Sequence, residues 1–447
     1  MRGVMSAREL CQALGISQAT LSRILRSASN DVVAVGRGRS TRYAVLRTIS
    51  GVPRDIPMFD IDEKGVAQRT GTLNALYGGA VWVQRNESGE LYEGIPFFLD
   101  DMRPQGFLGR AFARNNPDLE LPERITDWSE DHVIRALTAR GDDTIGNAII
   151  GEGSFQRFLE TAAAAIEPIP IGIQGTSFDN LAKQATEGQP PGSSAGGERP
   201  KFTAYAELAG GGAAQVLVKF SPPYDSDVGQ RWSDLLVCEA IAADVLSESA
   251  IPAARTHILR TDERTHLIVE RFDRVGARGR RAVISLGALD DYYFGNRDNY
   301  TLAAARLERT GRVSAQNAAT IRLIHCFGLL IGNTDMHFGN VSFFPEGNAR
   351  YRLSPIYDML PMLYSPVNDQ LVEREFICPA LPIQAIESWD SAFCLAILCW
   401  QRVAANPDIS EGFKVLVNAN EQKLARMRES SARSVDVSLH NRPAASA

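Results

Sequence analysis

At 447 residues and 44% apolar content, the chain carries enough material for a large core and two or more domains. No run of 18 or more apolar residues occurs and no positively charged segment leads into an apolar run near Met1, so membrane insertion and secretion are not expected; six cysteines (11, 238, 326, 378, 394 and 399) lack paired metal-ligand spacing and read as reduced, mostly core thiols of a cytoplasmic protein. The net charge of −6 hides an asymmetry: residues 1–50 hold eight arginines against Glu9 and Asp31, a net of +6 that leaves −12 for the remainder and turns only this end towards a polyanion.

Residues 6–13 read as a short helix with a capping-box start, Ser6 followed three positions on by Glu9. Leu14-Gly15-Ile16 forms a tight turn, and Ser17 caps a second helix through Ala19, Leu21, Ile24 and Leu25. This helix-turn-helix pattern is expected to present Gln18, Thr20, Ser22 and Arg23 outward, side chains able to reach base edges or phosphates. Two strand-like runs, Asp31–Val35 and Thr41–Arg47, flank a turn containing Gly36, Arg37, Gly38 and Arg39. Such a hairpin resembles the wing of a winged helix, with its arginines on backbone phosphates or in the minor groove. The competing reading is a three-helix protein-docking domain with a solvated basic face. One DNA-binding module reads a single half-site weakly, so operator-type duplex binding implies a homodimer or a partner.

Residues 55–100 hold strand-like stretches, Leu76–Val83 and Leu91–Leu99, and residues 101–165 turn helical through Trp128–Thr138 and Phe155–Ile166. Apolar periodicity throughout assigns 51–185 to the first part of the catalytic body. The Pro/Gly/Ser-rich stretch 188–200 then brings Ser193, Ser194, Ala195, Gly196 and Gly197 ahead of Lys201 and the strand Phe202–Glu207. Small-residue loops approach phosphates closely and donate backbone N–H groups, although alone this one is equally a plain flexible connection and is not a Walker A sequence.

Ala214–Phe220 is a strand in which Lys219 interrupts a largely apolar run. A lysine there is costly unless its ammonium meets an anion, nucleotide phosphate being one candidate and snorkelling at the strand end the alternative. The helix Trp232–Leu246 follows, with Glu239 as the lysine's carboxylate partner in the manner of the strand-lysine and helix-glutamate pair of protein kinases. Thr265–Phe272 is another apolar strand, whose backbone at Glu270 and Phe272 could border an adenine edge; surface ion pairing is the alternative for its charged side chains.

The apolar helix Ala318–Leu330 stops at Ile331-Gly332-Asn333 and delivers Asp335 into a loop, a rigid mounting suited to a group that orients a hydroxyl. Asp335 and Asn340 stand five positions apart, the interval of the Asp and Asn in the kinase pattern H-R-D-L-x-x-x-N. Asn340 and Asp358 would then be the magnesium ligands beside ATP, the alternative for the whole constellation being two capping or turn aspartates beside a metal-free core. His337 lacks the partners of a zinc site, the nearest other histidine being His325, and reads first as a hydrogen-bonded anchor of the loop; direct catalysis, metal binding or nucleotide contact is the alternative.

On SSAGGERPKF, LVKF, VERFDR, NTDMHFGN and LSPIYDML, in that order, the chain resembles the HipA family of serine/threonine kinases, toxins of bacterial toxin–antitoxin systems, over about residues 60–430. The resemblance implies a phosphate loop at Ser193–Lys201, Lys219 on phosphate, Glu270 and Phe272 beside adenine, Asp335 as the catalytic aspartate, and Asn340 and Asp358 on Mg2+. It also implies autophosphorylation of Ser193, with Ser194 the rival, and a protein substrate, an aminoacyl-tRNA synthetase being the best-known target class. Phosphate on the loop would occupy the place of the nucleotide's own phosphates and inactivate the enzyme. Ordinary members borrow DNA binding from a separate antitoxin-like repressor, whereas this chain carries its own domain and is similar to the YjjJ (HipH) type.

The expected fold is therefore α+β: a winged helix-turn-helix domain at 1–50, then a two-lobed HipA-like protein kinase fold with its N-terminal lobe at 51–275 and a mostly helical C-terminal lobe at 276–430, followed by a tail at 431–447 without fixed structure. The function expected is an ATP- and Mg2+-dependent serine/threonine protein kinase with transcriptional autoregulation. Two rivals are a DNA-binding regulator whose kinase-like body only senses nucleotide or a partner, and a small-molecule kinase.

Overall fold

The computed structural model describes residues 3–36, 38, 41–85, 88–110, 112–163, 166–186, 200–380 and 382–440. Strand β1 (Met5–Ser6) leads straight into α1 (Ala7–Leu14), where the Ser6 hydroxyl accepts from the Glu9 N–H at 3.2 Å and the Glu9 carboxylate accepts from the Ser6 N–H at 2.7 Å. Gly15, at φ +65°, ends that helix and the Ser17 hydroxyl caps α2 (Gln18–Ser27). β2 (Val32–Val35) and β3 (Arg42–Val45) complete a three-stranded antiparallel sheet in the order β1-β3-β2, the arrangement of a winged helix. Gln18, Ser22 and Arg23 are exposed, but Thr20 departs from the expected outward set: it is half-buried and its hydroxyl lies 3.0 Å from that of Ser17, because the cap recruits it. Arg37 and Arg39 lie outside the described residues.

The next sheet is antiparallel in the order β7-β6-β5-β4-β8, made of β4 (Ile56–Ile61), β5 (Ala67–Ala75), β6 (Ala80–Arg85), β7 (Ser88–Glu93) and β8 (Ala148–Ile150). Two expected strands are divided differently here. Leu76–Val83 contains a turn at Gly78 and Gly79, both at positive φ that other residues rarely adopt, and Leu91–Leu99 ends at Glu93 before a short helix, Phe97–Asp100, led by Pro96. α3 (Glu130–Arg140) covers the sheet through Val133, Ile134 and Leu137 against Met58, Leu73 and Val81; α4 (Glu152–Ala163) follows β8.

By contacts the chain forms two compact units, residues 1–167 with 273–283, and residues 168–272 with 284–447. These boundaries differ from the sequence-based ones at 50, 185 and 275. The insertion 273–283 is held in the first unit by buried polar bonds: the Arg274 guanidinium donates to the Asp273 carboxylate at 2.6 Å, to Asp143 at 2.9 Å and to the Gly146 carbonyl at 3.0 Å.

In the second unit α5 (Gln174–Thr186) packs on an antiparallel sheet ordered β11-β12-β10-β9, comprising β9 (Lys201–Glu207), β10 (Ala213–Phe220), β11 (Thr256–Arg260) and β12 (Thr265–Glu270). α6 (Asp227–Glu248) follows β10 and packs Leu236 and Ala240 against Leu267 and Val269 of β12. The remainder is mostly helical: β13 (Ile284–Ser285), α7 (Leu286–Tyr293), α8 (Tyr300–Arg309), α9 (Ala315–Leu330), β14 (Ser342–Gly347), β15 (Arg350–Leu353), α10 (Ile386–Ala405) and α11 (Glu411–His440). Residues 431–440, expected to lack structure, continue α11. Cys238, Cys326 and Cys399 are buried as expected, while Cys394 is exposed. Among the described residues no helix is long and apolar enough to cross a membrane.

Helix α6 is tied to the helical part at both ends. The Asp234 carboxylate, 1% exposed, accepts from the N–H and the hydroxyl of Ser410 at 2.8 and 2.7 Å, at the start of α11, and Arg402 of α10 pairs with Glu248 at 2.5 Å. Replacing Asp234 by alanine strands two donors and is expected to destabilise the protein by about 2–3 kcal/mol, read as a lowered urea midpoint at unchanged slope.

Candidate active site

Lys219 enters the site because β10 pairs with both neighbours at that point, Lys201 on one side and Leu267 on the other. Its side chain is 7% exposed, and the Nζ donates to Glu239 Oε1 of α6 at 2.6 Å and also to Asp358 Oδ1. The lysine–glutamate pair expected from sequence is formed, and Asp358 joins it as a third member. Burial disfavours the Lys219 ammonium, but the two carboxylates outweigh it and hold its pKa above the ordinary value. Burial also pushes the Asp358 carboxyl up, yet Lys219 and then Lys201 pull it down to about 2. Glu239 moves the other way: burial, with the Asp358 charge adding to it, raises its pKa despite Lys219. Of the two carboxyls Asp358 is therefore the more readily ionised, and its side chain keeps 28% exposure, enough to meet a ligand from solvent.

Asp358 is also a backbone outlier, a non-glycine residue at φ +57°. The conformation is held by Asn333, 4% exposed, whose Nδ2 donates to the Asp358 carbonyl at 3.1 Å while its Oδ1 accepts from the Asp335 N–H at 3.0 Å. One amide side chain thus joins the two acidic segments. Sequence reading gave Asn333 no role; its place directly after Gly332, at the end of a buried helix, was the available signal.

The Asp335 loop is ordered by short-range bonds. Gly332 reverses the chain at φ +72°, and Gly328 of α9 leaves room for Met336, whose sulfur would lie 2.3 Å from a Cβ there. His337 caps the turn Phe338–Asn340, its Nδ1 accepting from the Gly339 N–H at 3.1 Å, which is the anchoring role read first from sequence. The Asn340 side chain, 6% exposed, donates to the Asp335 carbonyl at 2.9 Å, which leaves its amide oxygen as the group to offer a cation. Asp335 itself is exposed. Burial first, and then the charges of Asp358 and Asp335, raise the pKa of the Tyr300 phenol, so both carboxylates bear on one hydroxyl.

Elsewhere in the site, the Glu270 N–H donates to the Arg255 carbonyl at 2.9 Å and its carboxylate lies 3.8 Å from the Arg255 guanidinium, so the strand-end pair also considered from sequence is present. Phe272 stacks obliquely on Tyr357 with centroids 5.6 Å apart. Ser193, Ser194, Ala195, Gly196 and Gly197 lie outside the described residues, whereas Lys201 stands beside Lys219 across the strand pair. Among the described residues no three His, Cys, Asp or Glu side chains cluster as a metal site. The Asp358 carboxylate and the Asn340 amide oxygen would be hard donors of the kind Mg2+ takes, with water and phosphate oxygens to complete its shell.

Residues 193–431 match the family described as HipA-like C-terminal domain, and residues 52–159 match YjjJ-like toxin, middle domain. A chain from the Shewanella oneidensis MR-1 toxin–antitoxin complex of HipA, HipB and its operator DNA superposes with a TM-score of 0.53 at 17% identity, over 83% of this chain and 95% of that one, which establishes a HipA-like kinase fold. The chain belongs to the HipA-like toxin family. Within it, the chain is 38% identical over 438 residues to Toxin YjjJ of Escherichia coli (strain K12), covering 97% of this chain and 98% of that protein.

Removing the lysine tests the electrostatics. Lys219→Met leaves two carboxylates facing each other and is expected to cost about 3–5 kcal/mol near neutral pH. Without the ammonium their folded pKa values rise above the unfolded ones, so the folded mutant binds more protons and loses stability as pH rises. Denaturation at pH 5 and pH 8 should show the larger deficit at pH 8.

Proposed function

We propose that the chain is an ATP-dependent serine/threonine protein kinase that phosphorylates itself and a cellular protein, with an amino-terminal domain that binds operator-type duplex DNA. The observation that carries the kinase reading is the junction of Lys219, Glu239 and Asp358, bonded through Asn333 to the loop of Asp335 and Asn340.

In this reading Lys219 and Lys201 bind the nucleotide's phosphates, and the Glu270 carbonyl with the Phe272 amide borders adenine, since the Glu270 N–H is already engaged. Asn340 and Asp358 hold Mg2+, which when bound neutralises charge on the phosphates. Asp335 accepts the hydrogen of the substrate hydroxyl and aims its oxygen in line; the new O–P bond forms as the bond to ADP breaks and the proton passes to the carboxylate. Ser193, or Ser194, is the autophosphorylated residue. Charge added there opposes nucleotide binding and shuts the enzyme down.

DNA binding is supported by the exposed Gln18, Ser22 and Arg23 on α2 and by the positive balance of residues 1–50. The Shewanella relative is described in complex with HipB and operator DNA; here the DNA-binding element is part of the chain, with an antitoxin-like repressor as a further partner.

Purified Asp335→Asn protein incubated with labelled ATP should show no incorporation, while its unfolding free energy stays within about 0.5 kcal/mol of wild type, as expected for an exposed site. Retained incorporation would overturn the assignment, and wild-type protein that binds DNA yet transfers no phosphate would favour the nucleotide-sensing regulator. Replacing Arg23, Arg37 and Arg39 together by alanine should weaken duplex binding and flatten the slope of log affinity against log salt by about 2–3, measured by fluorescence anisotropy; an unchanged slope would move the DNA site to another surface.

A further inference from the structure

We infer that Tyr300 and Tyr357 are positioning residues that grip alternate carbonyls of the Asp335 loop and thereby set the spacing of Asn340 and Asp358, an inference that rests on the kinase reading. Tyr300, the first residue of α8, is 1% exposed and its hydroxyl donates to the His337 carbonyl at 2.8 Å. The ring lies between Phe338 and His325, with centroids 6.1 and 5.8 Å away, so the hydroxyl has a fixed mount. The same carbonyl accepts from the Asn340 N–H at 3.0 Å, and the phenol bond therefore fixes the residue that presents the candidate magnesium ligand.

Tyr357 reaches the loop from the opposite segment. It immediately precedes Asp358, and its hydroxyl donates to the Gly339 carbonyl at 2.6 Å. That phenol has one hydrogen to give, so the buried Ser342 hydroxyl, 2.7 Å away, must be the donor to its oxygen. Its ring rests on Phe272. One side chain thus connects the strand end beside adenine, the turn carrying Asn340 and the residue next to Asp358.

A core aromatic needs only its ring, and phenylalanine supplies that. What phenylalanine removes is the hydroxyl, and with it the hold on His337 or Gly339. A misplacement of about 1 Å can cost on the order of 100-fold in rate. The expected signature is a loosened metal site with an intact core.

The experiment uses the full chain as wild type, Tyr300→Phe and Tyr357→Phe, with two readouts over a Mg2+ titration. One is the rate of autophosphorylation at saturating ATP; the other is the rise in thermal midpoint produced by a nonhydrolysable ATP analogue. Each variant is expected to lose about 10- to 100-fold in rate and to need several-fold more Mg2+ for half of the analogue's stabilisation, with its midpoint without ligand near wild type. Wild-type rate and Mg2+ requirement in both variants would overturn the inference alone. So would a lower rate at an unaltered Mg2+ requirement, because general damage to the core slows the enzyme without touching the metal site. Wild-type protein that transfers no phosphate would overturn the kinase reading and this inference with it. If one variant does not fold, the other decides by the same criteria, since each hydroxyl holds its own carbonyl.

Discussion

A single buried ammonium organises the second unit. Lys219 lies in the middle of an antiparallel sheet, and an ammonium there is tolerated because Glu239 from α6 and Asp358 from the segment after β15 both come to it. Three separately folded elements, a strand, a helix and an irregular segment, are thereby required to meet at one point. The anchoring of α6 through Asp234 to Ser410 and of Glu248 to Arg402 fixes the helix that supplies Glu239, so the junction is held from behind. The more acidic of its two carboxyls, on the partly exposed Asp358, is the one open to a divalent cation.

The second constraint is backbone geometry around the two acidic segments. Asp358 sits in the left-handed region, Gly332 reverses the chain after α9, and Asn333 binds one segment to the other. Strain of this kind persists where neighbours over-determine it, and here the Asn333 amide bonds the Asp358 carbonyl while two phenols hold the facing loop at His337 and Gly339. Backbone bonds position the Asp335 loop from inside, so its carboxylate can stay exposed for a substrate.

Much of the site was legible in the sequence. Lys219 stood out as a charge in an apolar strand, Glu239 by its place on the following helix, and Asp335 with Asn340 by an interval tied to loop geometry; all are on the expected elements. The capping box of Ser6 and Glu9 and the cap at Ser17 were readable because they are local, with donor and acceptor within three residues. Thr20 was misjudged by the same locality, since a cap can recruit a neighbouring hydroxyl.

Long-range partners were not legible. Nothing at Tyr300 announces a bond to His337, 37 positions away, and the place of Asn333 after Gly332 marks a special position without naming Asp358 as its partner. The return of residues 273–283 to the first unit was equally hidden, because nothing in the local sequence of Asp273 and Arg274 names Gly146 and Asp143 as their partners. Hydrophobic pattern marks which face of an element is buried, but leaves open which distant element buries it. The most direct measurement of the central claim is a crystal structure with Mg2+ and a nonhydrolysable ATP analogue. The account predicts one ion about 2.1 Å from both Asn340 and Asp358 oxygens, with Lys219 on a phosphate and Asp335 facing the terminal phosphoryl group; an ion or nucleotide bound away from these four residues would contradict it.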